Sequence, residues 1–161
     1  MAMRTDANKN VLDRENSAIA IARLVLDKRQ TLYPSHVDEL LSIAIWKFTE
    51  ANGKYTTCFI TRAALDSARS DIQHEHVIPR LTLRKAMMIH PNRLEQIMRL
   101  AIGCTVTKSE HRRLGNEFGW ERYRAAGVEV ISRQSGAIAQ LEDLASKLQS
   151  AWADVLAPDR N

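Results

Sequence analysis

Residues 73–80 read QHEHVIPR: two histidines flank a glutamate, a β-branched pair follows, and a proline closes the run. Val77, Ile78 and Pro79 decide the local conformation. β-Branched residues favour extended backbone, and Pro79 pushes Ile78 away from helical angles. The stretch reads as a strand. On a regular strand His74 and His76 share one face and Glu75 takes the other, although a bend before Pro79 could bring all three to one rim. Three readings of the Glu-His pair are open. It can be a metal ligand beside a general base, a fragment of a zinc site, or the polar end of an ordinary strand.

A second stretch, residues 104–111, reads CTVTKSEH. Cys104–Val106 can form a short strand, and Thr107 with Glu110 three residues later is a capping box that opens a helix. Glu110 thereby has a structural task. His111 falls in the first turns of that helix, where the dipole opposes protonation and leaves a neutral imidazole able to bind metal. Pairing 73–78 with 104–106 would lay this helix across both strands. His76 and His111 would then approach within ~10 Å from different elements, a reach set by metal–ligand bonds and an intervening water or phosphate.

The chain of 161 residues is the length of one domain, and its 45% apolar content is that of a globular protein. No apolar run is long enough to span a bilayer, and the polar N-terminus has no signal-peptide core. The two cysteines, Cys58 and Cys104, form no C-x-x-C pair. A Cys₄ knuckle or disulfide scaffold is excluded by count, and a cytoplasmic location is expected. Ten Lys and Arg but four acids lie between Arg80 and Arg124, so this stretch carries +6 while the remainder carries −2. Such a balance suits a polyanionic partner, or else a set of solvated helix faces.

Residues 1–13 read as a flexible tail and 14–161 as a single domain. Helical spacing covers Glu15–Leu26, a second helix with Ser35 as its cap, and a short helix within Thr61–Ser70. Lys54–Ile60 reads as a strand or an extended arm. Further helices are expected near 81–88, 91–102 and 117–126, with Gly127 ending the last and Val128–Ile131 extended. A final helix is expected over 137–156, with Leu141, Leu144, Leu148, Trp152 and Val155 in one stripe. That stripe docks on its own domain or makes a homodimer seam. Trp46, Trp120, Tyr123 and Trp152 read as core or interface residues, and His90 as a turn residue.

Glu75-His76-Val77-Ile78-Pro79 followed by Val106-Thr107-Lys108-Ser109-Glu110-His111 resembles the ββα-metal finger of the HNH (His-Me finger) endonucleases. The resemblance spans residues 73–115. It implies an α+β, mostly helical fold, in which strands near 73–78 and 104–106 and a helix from 107 form the finger among other helices. It also implies that His76 is the general base, that Glu75 and His111 are metal ligands, and that the cofactor is Mg²⁺, with Mn²⁺ or Ni²⁺ as substitutes. His74, Arg80, Arg112 and Arg113 would contact phosphates.

The implied activity is metal-dependent hydrolysis of phosphodiester bonds. His76 would deprotonate water and the ion would stabilise charge on the phosphate and leaving oxygen. The implied partner is nucleic acid, with DNA placed ahead of RNA, and no membrane. The chain departs from the family in three ways: residues 80–107 hold two helices where compact members have a loop, Gly115 stands where colicin-type members carry a second helix histidine, and bracing cysteine pairs are absent. These departures suit an alternative, a catalytically degenerate finger that binds nucleic acid or a protein partner. A second alternative is a helical interaction protein without chemistry.

Overall fold

The computed structural model describes residues 10–158. Helix α1 (Val11–Lys28) and helix α2 (Pro34–Thr49) come first and pack on each other. Their buried positions, Ala18, Ala22, Val25 and Leu26 against Val37, Leu41, Ala44, Ile45 and Phe48, keep the three- and four-residue steps of one helix face. The expected loose segment 1–13 is thus helical from Val11, and residues 1–9 lie outside the described part. Pro34 occupies the first turn of α2 and Tyr33 its cap position, so Ser35 is inside the helix rather than capping it. A proline there gives up no hydrogen bond.

Four short strands form one sheet in the order β2-β3-β1-β4, from β1 (Phe59–Thr61), β2 (Ile72–His76), β3 (Gly103–Thr107) and β4 (Val130–Ser132). β3 is antiparallel to β2 and parallel to β1, and β4 is antiparallel to β1. All five residues of β3 are buried, as befits a strand with neighbours on both sides. Gly103 is needed for closeness: an added Cβ would lie 2.7 Å from Thr57 Cγ2 and 3.0 Å from His74 Cε1.

Helix α3 (Arg62–Leu65) is capped by Thr61, whose hydroxyl accepts from Ala64 N. Helix α4 (Arg80–Ile89), a 3₁₀ turn at Pro91–Arg93 and helix α5 (Leu94–Arg99) connect β2 to β3. Helix α6 (Lys108–Arg113) leaves β3 through the full Thr107/Glu110 capping box and lies against β2 and β3. Helix α7 (Glu121–Ala125) is shorter than the expected 117–126, and Gly127 at φ +63° follows its end.

The terminal helix α8 spans Leu141–Leu156, four residues shorter than the expected 137–156. Gly136, at φ +70°, turns the chain so that Ala139 N donates to Val130 O at 2.8 Å and 137–139 run back along β4. Leu148 and Val155 of the α8 stripe are buried in the main core beside α5 and α7, and Leu141, Leu144 and Trp152 are partly buried against it. Trp120 and Tyr123 are buried, whereas Trp46 is 40% exposed and so lies outside the core; Arg80 covers its ring at 5.3 Å. Among the described residues no helix is long and apolar enough to cross a membrane.

Candidate functional site

β2 is regular through His76, in register with β3 from Ile72↔Thr107 to His76↔Gly103. Its side chains therefore alternate. His74 and His76 turn toward α2, while Glu75 turns toward α6 and α7. The expected meeting of His76 and His111 does not occur, because the ladder holds β2 straight and Pro79 acts only after the strand has ended. The partner of His111 is Glu75.

Glu75 is the centre of the first cluster. Its Oε2 lies 2.6 Å from His111 Nδ1, and its Oε1 accepts from Arg122 Nη2. Arg122 also donates to His76 O at 2.6 Å, which ties α7 to the end of β2. The Glu75 and Arg122 side chains are only 12% and 9% exposed, so the carboxylate is largely desolvated and charge-paired. His111 is half exposed at the rim. Arg122 is the residue that the sequence reading missed. It was counted only as one of ten basic charges, although its place between Trp120 and Tyr123 in an inward stripe signals a buried cation in need of an acid.

The second cluster lies on the opposite side of β2. Thr49 Oγ1, at the end of α2, is 3.0 Å from His74 Nε2 and 3.1 Å from His76 Nε2. A hydroxyl carries one proton, so at least one imidazole must donate its Nε2–H to it. The rings lie 4.6 Å apart. His74 Nδ1 is 3.7 Å from Glu50 Oε1, too far for a hydrogen bond, and both atoms are buried without a partner. Burial lowers the His74 pKa despite the opposing pull of Glu50 and Glu75, so this contact is not an ion pair at neutral pH.

His76 is 7% exposed, and burial, then His74, Arg80 and Arg122, push its pKa down to about 3. An imidazole so placed is neutral but weakly basic, and Thr49 at the end of α2 holds its Nε2. The shift has a consequence for stability. Unfolded, His76 protonates near its ordinary value of about 6.5; folded, it does so only near about 3. Between these values the unfolded chain binds more protons. Stability should therefore be full above about pH 6.5 and fall by up to ~1.4 kcal/mol per pH unit below it. Urea midpoints at pH 7, 5 and 4 should show this slope in the wild type and a flatter one in His76→Gln. Parallel curves would assign the acid sensitivity to other groups, His74 first among them.

The remaining assigned residues scatter. The His74 side chain is 3% exposed and so is shut off from phosphate. Arg80 covers Trp46 at the start of α4. Arg112 and Arg113 are exposed on α6 with Lys108, and no ion pair engages these three among the described residues. Most other cations of the basic stretch are committed: Arg84 binds Asp38 O and Ser42, Arg99 pairs with Glu95, and Arg124 pairs with Glu121 and Glu142.

The donor set does not fit a divalent ion. Glu75 is the one carboxylate at the rim pair, and the Arg122 guanidinium already holds it with positive charge where a cation would sit. Among the described residues no three His, Cys, Asp or Glu are grouped to hold a metal. Comparison with known proteins assigns no family. No family model, curated protein or solved structure matches the chain significantly.

Proposed function

We propose that this chain is a nucleic-acid-binding module built on an HNH-like ββα unit that does not cut. The unit is β2, β3 and α6: two antiparallel strands, the second leading through a capping box into a helix packed across both. One observation carries the reading. Glu75, in the position of the family's metal ligand, is ion-paired with Arg122 and hydrogen-bonded to His111, while Lys108, Arg112 and Arg113 stand exposed beside them. Lys108 and Arg112 lie at i and i+4 on one face of α6, and Arg113 is exposed next to Arg112 at its rim. That face presents cations to a phosphate backbone, which gives affinity without sequence information.

The metal-endonuclease reading is weaker on the same geometry, because its base and its ligand pair face opposite sides of β2. Labelled single- and double-stranded DNA titrated at two salt concentrations tests the proposal, together with plasmid incubated with Mg²⁺, Mn²⁺ or Ni²⁺. Three phosphate contacts predict a slope of log affinity against log salt of about −2.7 on duplex DNA. The triple variant Lys108→Ala, Arg112→Ala, Arg113→Ala should flatten that slope nearly to zero, and the plasmid should stay intact with every ion. Nicking lost in His76→Ala would restore the endonuclease. Binding that is absent at low salt, or unchanged in the triple variant, would leave α6 an ordinary solvated surface.

A further inference from the structure

A cavity of about 740 Å³ opens between the end of α2, the loop after it and the neighbouring ends of the sheet. Phe48, Phe59 and Ile102 give it an apolar wall, and Glu15, Arg99 and Arg133 are its charged groups. The volume is that of a small-molecule site, where apolar walls and a few placed polar groups are the rule. None of Glu75, His111, Arg122 or the exposed cations of α6 lines it, so the cavity is independent of the nucleic-acid reading.

Its two cations differ. Arg99 is satisfied by Glu95 at 2.7 Å. Arg133 is half-buried just after β4, anchored by its backbone N–H to Cys58 O at 3.0 Å and by Nη2 to Tyr55 O at 2.9 Å. Its Nε–H is shut away from solvent and meets no acceptor. Among the described residues no carboxylate pairs with it, and burial alone pulls its pKa down. A partly desolvated guanidinium with an unmet N–H is unfavourable unless an acceptor reaches it. We propose that this cavity binds a small organic anion, an apolar body carrying one carboxylate, sulfonate or phosphate group, with its charge at Arg133 and its body against Phe48, Phe59 and Ile102.

The probe is 8-anilinonaphthalene-1-sulfonate, an aromatic body with one negative charge, titrated into the full chain and followed by fluorescence. Saturable 1:1 binding is expected. Arg133→Gln should weaken it about tenfold or more, the worth of one charged hydrogen bond, while circular dichroism shows the chain still folded despite the lost bond to Tyr55 O. The neutral analogue N-phenyl-1-naphthylamine should bind wild type and Arg133→Gln alike. Cys58→Trp, at an exposed position lining the cavity, keeps Arg133 but narrows the space, and should reduce binding of both probes. Displacement by decanoate alone would assign a carboxylate head, and displacement by adenosine 5′-monophosphate alone a phosphate. Equal affinity for the sulfonate in wild type and Arg133→Gln overturns the proposal, as does binding that survives Cys58→Trp.

Discussion

Arg122→Ala should lower stability by about 3–5 kcal/mol, the usual cost of removing one partner from a buried ion pair. Two acceptors lose their donor at once, the Glu75 carboxylate and the His76 carbonyl. Both lie at the end of β2, so the loss falls on the junction between sheet and α7. For a domain of this size the change corresponds to a fall in the melting midpoint of about 10 °C. The charge argument has its own check. Glu75→Gln removes the charge left stranded, so the double variant should be less destabilised than the sum of the two single ones, with a coupling of about 1–3 kcal/mol. Additive losses would mean that Arg122 acts through packing on Tyr123 rather than through Glu75. A loss under about 1 kcal/mol would put the pair in the class of exposed bridges.

Glu110→Ala comes next, at about 3 kcal/mol where a capping box alone is worth ~1. The difference is tertiary. Glu110 Oε2 accepts from Thr107 N at 2.9 Å and Thr107 Oγ1 at 3.1 Å, and also from Thr61 Oγ1 at 2.6 Å across the sheet. The residue is 5% exposed, so truncation leaves three donors buried without an acceptor. Glu110→Gln keeps an acceptor oxygen and should recover about half of the loss. Thr61→Val should lose less than Glu110→Ala, since it forfeits one donor to Glu110 and the cap on Ala64 N rather than the acceptor of three donors. Chemical denaturation of the three variants distinguishes the cases, and a Glu110→Ala loss of only ~1 kcal/mol would reduce its role to the local cap. Neither Glu110 nor Arg122 lies among the exposed cations of α6, so any folded variant should leave the proposed salt-dependent DNA binding unchanged.

The elements legible in the sequence are those whose cause is local. Val77-Ile78-Pro79 marks an extended segment at the end of β2, Thr107-x-x-Glu110 starts α6, and the apolar spacing of α1, α2 and α8 marks their inner faces. Boundaries failed where a distant contact won. Residues 137–139 have helical composition, yet pairing with β4 takes them, because an edge strand leaves hydrogen-bonding groups open. The basic stretch was legible as a sum of charge but not as a surface. A count cannot tell Arg122, buried on Glu75, from Arg112, exposed on α6.

The candidate site divides along the same line. The strand period alone separates Glu75 from His74 and His76, and the capping box alone sets His111 near the start of a helix. What the sequence could not decide was which face meets which helix. That choice depends on the register of β2 against β3 and on the packing of α2 and α7 to either side, contacts that join residues 25 to 47 positions apart. The tertiary structure gave the histidines to Thr49 and the glutamate to His111 and Arg122. A one-residue difference in register would have exchanged the two faces, because side chains alternate at every step along a strand.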